Sequence, residues 1–236
     1  MKKHLFFFFI ALVAIIPSLS SCIDEDEYTD SPSGNFEALW KIIDEHYCFF
    51  DYKNVDWNAI HAKYKPQVAG DITTSQLFEV LGNMLGELQD GHVNLYSPFD
   101  VARYWKWHED YPSNYSDTLI SKYLGTDYRI TSGMKYRILD DNTGYIRMPS
   151  FAYGIGAGNL DNILYYLAPC QKLIIDIRDN GGGLLTSAQE LAARFTNEKI
   201  LVGYMQHKTG KAHNAFSSLE PQYLKPAKGI RWQKQV

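Results

Sequence analysis

Residues 172–195, KLIIDIRDNGGGLLTSAQELAARF, constrain this chain more than any other stretch. Leu173, Ile174, Ile175 and Ile177 form a nearly unbroken apolar run, the pattern of a strand covered on both faces. Asp176 and Arg178 interrupt it at period two, so both belong on one side of the sheet. Gly181, Gly182 and Gly183 carry no Cβ, which lets the backbone take positive φ and approach another group closely. Thr186 followed by Gln189 reads as a capping box, and Ala188, Leu191, Ala192 and Phe195 supply a helical apolar stripe. The unit is strand, glycine turn, helix. It sets backbone N–H groups beside a helix start, where a phosphate or a developing oxyanion is stabilised.

Three readings of the turn stay open from the residues alone. A dinucleotide fingerprint needs a third glycine where Thr186 stands, and a phosphate P-loop needs a Gly-Lys-Ser/Thr that is missing. A tight strand-to-helix turn with no ligand is the third. The string IIDIRDNGGG, followed by a helix, resembles the central motif of the tail-specific (C-terminal processing) serine proteases. Asp90-Gly91-His92 is similar to the branch that includes the tricorn protease core. The likeness runs from about Asn35 to about Met205. It implies an α/β fold: an N-terminal helical bundle followed by part of a crotonase/ClpP-like protease core. It also implies a peptide or protein substrate.

The start of the chain has its own signature. Lys2 and Lys3 precede an uncharged run from Leu5 to Ile16, and Leu19-Ser20-Ser21-Cys22 follows. A basic start, an apolar run too short to span a bilayer and small residues describe an export signal. Leu-Ser-Ser-Cys resembles a lipobox, so residues 1–21 are expected to be a lipoprotein signal peptide. Cys22 would then be the lipidated first residue, anchoring the protein to the outer membrane, on its periplasmic or its surface side. Losing Lys2 and Lys3 makes the mature chain two charges more negative than the −4 of the whole sequence. Asp24, Glu25, Asp26 and Glu27 make residues 22–34 an acidic tether. Nothing in this charge pattern suggests nucleic-acid binding. No Cys/His spacing describes a metal site, and no cofactor is expected. Cys48 and Cys170 could pair in an exported protein, although sequence separation does not decide it.

Residues 35–97 read as a helical bundle ending at the Asp90–His92 junction. Phe36, Leu39, Trp40, Ile43 and Tyr47 recur at helical spacing. Asp56 is placed to cap a second helix, and Thr73 with Gln76 forms a capping box for a third. That third helix is expected to end at Gly91, with His92 leading into a strand. The resemblance makes His92 the general base, because an imidazole titrating near neutrality accepts a serine proton.

Residues 98–236 read as the protease-like core. Residues 98–130 are too few for the PDZ domain that many family members carry, and Arg103, Tyr104, Trp105, Trp107 and Tyr111 cluster there. Met134–Leu139 and Tyr145–Met148 flank a hairpin signal at Asp140–Gly144. A helix over 160–167, the central strand and a further strand at Ile200–Met205 imply a mainly parallel layer. The resemblance places backbone amides of Gly182 and Gly183 at the oxyanion and leaves Asp176 and Arg178 as structural supports. In that family the nucleophilic serine lies downstream of the glycine motif. Ser187 sits in the cap region of the following helix, and Ser217 and Ser218 lie in a polar stretch without a glycine elbow. The 236 residues are therefore expected to be an incomplete or inactive serine-type peptidase. The competing expectation is a non-catalytic surface lipoprotein that binds peptide or glycan through Trp105 and Trp107.

Overall fold

A computed structural model describes residues 27–109 and 111–236. The signal peptide, Cys22 and the acids at 24–26 lie outside the described residues, as does the side chain of Trp107. The chain divides into two compact units.

Of the described residues, the first unit holds 27–44, Phe50–Leu88 and Asn94–Ala102. Its helices are α1 (Pro32–His46), α2 (Phe50–Lys53), α3 (Trp57–Tyr64) and α4 (Thr74–Gly86), followed by strands β1 (Asn94–Tyr96) and β2 (Val101–Arg103). Asp56 caps α3 by accepting the Ala59 N–H, and Thr73 and Gln76 form the reciprocal capping box of α4. Phe36, Phe50, Trp57, Met84 and Leu88 are buried. Trp40 and Trp57 donate their indole N–H groups to each other's carbonyls at 3.1 and 3.0 Å, so two large rings enter the bundle with their polar edges satisfied. The end of α4 differs from the sequence expectation. The helix stops at Gly86, and Gln89, not Gly91, takes the left-handed conformation at φ 48°.

The second unit holds Glu45–Phe49, Gln89–Val93 and Arg103–Val236. Its elements are α5 (Lys106–Glu109), α6 (Asp117–Leu124), β3 (Arg129–Thr131), β4 (Met134–Ile138), β5 (Thr143–Arg147), α7 (Ala157–Tyr166), β6 (Lys172–Asp176), α8 (Leu185–Ala192), β7 (Ile200–Met205) and β8 (Glu220–Leu224). The main sheet runs β3-β4-β5-β6. The β4–β5 hairpin turns at Asn142, which accepts φ 61°, and β5 then pairs in parallel with β6 from Thr143↔Lys172 to Arg147↔Asp176. Met134, Ile146, Met148, Leu160, Ile163, Leu167, Leu173 and Leu191 meet in one core between sheet and helices.

Two expectations fail in this unit. Among the described residues the sheet contains a single parallel pair, β5–β6, so the layer is mixed, and β7 pairs antiparallel with β8 in a separate ribbon. The central apolar strand is not covered on both faces either: among the described residues β6 lies at the sheet edge, with Ile174 47% exposed and Ile177, just past its end, 54%. The fully buried strand is β5. Among the described residues, the outer side of β6 is partnered only at its start, where the Leu173 N–H donates to Gln235 O at 3.0 Å. Alongside lies a cavity of about 340 Å³ lined by Leu124, Leu139, Tyr145 and Ile174 to Arg178.

The C-terminal segment is strapped to the helices by Arg194. This side chain is 1% exposed and donates to Asp161, to Ile230 O and to Ala157 O. Cys48 is exposed and Cys170 fully buried, and both are free thiols.

Candidate functional site

The strand-to-turn segment is held by a carboxylate. Asp176, 5% exposed, accepts the Tyr145 hydroxyl at 2.7 Å and Arg178 Nε and Nη2 at 2.9 and 2.7 Å. It also accepts the Arg178 backbone N–H at 3.1 Å. The sequence placed both charged residues on one side of a strand; instead the strand ends at Asp176 and Arg178 folds back from the turn to grip it in a bidentate pair. Beneath them the buried Arg147 donates to Met148 O and Asp176 O, both at 3.2 Å, and lies 4.0 Å from the Tyr115 ring centre. Asp176 and Arg178 thus tie the end of β6 to the residues that open the turn.

The Arg178 guanidinium, helped by the Tyr145 hydroxyl, holds the Asp176 carboxyl well below the usual carboxylate range against the opposing effect of burial. A carboxyl whose pKa is lower folded than unfolded contributes stability above about pH 4, and that contribution is lost as the pH falls further. The urea midpoint of the wild-type protein is therefore expected to fall steeply below pH 4, and that of Asp176→Asn to fall less. Parallel pH profiles would remove Asp176 from the acid response.

The turn that follows is held by four hydrogen bonds. Asn180 Oδ1 accepts the Gly182 N–H at 2.8 Å, while Asn180 Nδ2 donates to Met148 O at 2.9 Å. Phe151 N–H donates to Gly182 O at 2.8 Å, and Leu184 N–H returns a bond to Phe151 O at 2.9 Å. Gly182 and Gly183 take φ of 81° and 137°, and a Cβ on Gly183 would lie 2.6 Å from Ala152 Cα. Here the glycine is obligatory. The expected Thr186–Gln189 capping box does not form: Leu184 is the N-cap of α8, and its carbonyl accepts Ser187 and Ala188 N–H. Thr186 lies inside the helix because the Phe151 bridge sets the helix start two residues earlier than the capping box implied.

The amides of the turn are not equivalent. Gly182 spends its N–H on Asn180, whereas among the described residues Gly183 N–H donates to no group. Ser187 is 2% exposed and donates to Tyr153 O at 2.9 Å, which removes it from any nucleophilic role. Ser217 Oγ accepts the His207 backbone N–H and donates to Ser218 O, so it does not meet an imidazole nitrogen.

His92 has a fully exposed side chain, and its backbone N–H donates to Asp90 Oδ1 at 2.9 Å. Its Nδ1 stands 3.6 Å from the same oxygen, beyond hydrogen-bond length. Asp90 also accepts the Tyr47 hydroxyl at 2.8 Å, and burial together with this bond raises the Tyr47 pKa. The sequence singled out His92 but missed Asp90 as the group that orders its turn; an Asp two residues before the histidine was the available signal. Among the described residues no hydrogen bond or ion pair joins His92 to the glycine turn. Trp105 is half exposed, with Arg103 and His108 beside its ring.

These features coincide with similarity to known proteins. Residues 28–86 match the tricorn protease C1 domain, and residues 142–236 match peptidase family S41. The chain belongs to the tail-specific protease family. A crystal structure of a candidate peptidase from Parabacteroides merdae is 47% identical, with a TM-score of 0.80 over 87% of this chain and 66% of that one. This chain therefore spans just under two thirds of that relative. The photosystem II D1 C-terminal processing protease aligns at 12% identity and a TM-score of 0.43, over 86% of this chain and 72% of that one. No curated protein matches the sequence. The α/β class expected from the tail-specific protease motif is the class observed.

Proposed function

We propose that the chain is part of a serine-type tail-specific peptidase that hydrolyses peptide bonds by acyl transfer. The observation that carries this reading is a peptidase-family glycine turn, locked at Asn180 and Phe151, that leaves the Gly183 N–H unspent at the start of α8. A fixed donor aimed at developing charge is what acyl transfer needs. His92 is the general base, its turn ordered by Asp90, and the nucleophile is the serine that the family carries downstream of the glycine turn. A lipid at Cys22 holds the protein in the cell envelope, at the outer membrane.

The test is fluorophosphonate labelling and peptide hydrolysis by the full-length protein. Wild type is expected to label and turn over, and His92→Ala to lose about 10⁴-fold in kcat with unchanged circular dichroism. A wild-type protein that neither labels nor hydrolyses peptides, or a His92→Ala variant with unchanged kcat, would sink the reading.

A further inference from the structure

We infer that Asp90 is the acid that orients the His92 ring, and that Tyr47 is the positioning residue that locks Asp90 in place. The inference rests on the peptidase reading above and deepens it, since that reading leaves the partner of the imidazole open. The resemblance implies an orienting acid downstream of the nucleophile; Asp90 stands two residues before the histidine instead.

Two segments of the second unit, Glu45–Phe49 and Gln89–Val93, build this corner. Asp90 Oδ1 accepts the His92 N–H at 2.9 Å, and Asp90 O accepts the Val93 N–H at 3.1 Å. The histidine backbone is therefore closed inside an Asx-turn and a β-turn. Asp90 Oδ2 accepts the Tyr47 hydroxyl at 2.8 Å. Tyr47 is 9% exposed and meets the Phe49 ring edge-on, with 5.7 Å between centres, so its hydroxyl is a fixed donor. Burial and the neighbouring carboxylate raise the Tyr47 pKa, which keeps that hydroxyl protonated and donating through the neutral range. With Oδ2 held in this way, the carboxylate does not turn over, and Oδ1 stays directed at His92.

The imidazole lies beside that oxygen. His92 Nδ1 stands 3.6 Å from Asp90 Oδ1, with the Asp90 side chain only 13% exposed and the His92 side chain fully exposed. A ring that nothing encloses needs only a small rotation to bring Nδ1 to hydrogen-bond length. Catalytic bonds are often long before substrate arrives and tighten once it is bound. A carboxylate only accepts, so Nδ1 carries the proton and Nε2 keeps its lone pair. In the acyl-transfer step the serine Oγ bonds to the substrate carbonyl carbon, its proton goes to Nε2, and the carbonyl π electrons move to oxygen. Nδ1–H stays on the ring, and the Asp90 charge stabilises the imidazolium formed. When the C–N bond breaks, Nε2 returns the proton to the leaving amine. Asp90 and Tyr47 touch none of the reacting atoms and act through His92.

The experiment records long-range ¹H–¹⁵N spectra of the full-length protein labelled in histidine, at about pH 8.5, where an ordinary imidazole is neutral. The His92 signals are those lost in His92→Ala. Wild type is expected to hold the His92 proton on Nδ1, and Asp90→Asn to lose that preference. The asparagine oxygen still accepts the His92 N–H and its Nδ2 can donate to the Tyr47 oxygen, so the turn persists while the charge is gone. In peptide hydrolysis Asp90→Asn should lower kcat about 10²–10⁴-fold with KM nearly unchanged. Tyr47→Phe, which removes one bond to a charged group, should lower it about 10-fold. A wild-type proton on Nε2, or an unchanged tautomer in Asp90→Asn, overturns the inference whatever the rate, because a merely structural loss lowers kcat without moving the proton. If Asp90→Asn does not fold, a reduced Nδ1–H population in Tyr47→Phe supports the inference and a wild-type spectrum overturns it. A wild-type protein that never turns over sinks the peptidase reading. If its His92 proton still sits on Nδ1 and leaves it in Asp90→Asn, the Asp90–His92 pairing is upheld and the chemistry alone has failed; otherwise both fall.

Discussion

Gly183→Ala is expected to unfold the glycine turn and cost about 3–5 kcal/mol, the sum of strain for an L residue at this φ and two lost backbone bonds. The native φ is 137°, and the new Cβ would overlap the backbone of Phe151 and Ala152. The loop cannot yield cheaply, since both hydrogen bonds of the Phe151 bridge flank this one residue. Two neighbours serve as graded controls. Gly182 has φ 81° with open space around it, so Gly182→Ala should cost only about 1–2 kcal/mol for the left-handed backbone. Gly181 has neither a positive φ nor a close neighbour, and Gly181→Ala should stay within about 0.5 kcal/mol. Urea denaturation of the three variants measures the order directly. Equal losses at the three positions would show that the turn is not pinned at Gly183.

Arg194→Ala should be nearly as damaging, although it lies away from the candidate site. Its guanidinium bonds Asp161, Ile230 O and Ala157 O, and Ile230 N–H and Arg194 together hold the Asp161 carboxyl below the usual range. Removing the buried member of such a pair leaves two carbonyls unmatched and Asp161 without its cationic partner, at about 3 kcal/mol, the lower end of the known range because Asp161 is partly exposed and keeps the Ile230 N–H. For a chain of this length that is a fall of roughly 6–12 °C in Tm. Arg194→Lys should recover little, since one ammonium cannot span three acceptors set around a planar fork. Full recovery in the lysine variant would reduce Arg194 to a simple counter-charge.

Local rules were legible in the sequence wherever the deciding partner lies within a few residues. Asp56 and the Thr73–Gln76 pair cap their helices as read, because a cap needs only its own first turn. The Asp140–Gly144 hairpin was legible for the same reason, and Ser187 lies in the first turn of its helix, where the sequence placed it. The glycine motif carried the family. Thr186 shows where this stops: a valid capping pattern lost to a bridge from Phe151, 35 residues away in the chain.

The sequence by itself determined the helical bundle, the strand–glycine–helix unit, its kinship with the tail-specific proteases and the candidate residues His92, Gly182 and Gly183. Tertiary structure alone decided that the apolar run at Leu173–Ile177 lies at a sheet edge, that β7 leaves the main sheet and that Gly182 and Gly183 differ. The physical reason is common to all three. Hydrophobic periodicity records how apolar a segment is but not which neighbour covers it, and a glycine letter records permission for positive φ but not where its N–H is spent. Those choices are made by long-range hydrogen bonds, here from Asn180 to Met148 and from Phe151 to the turn.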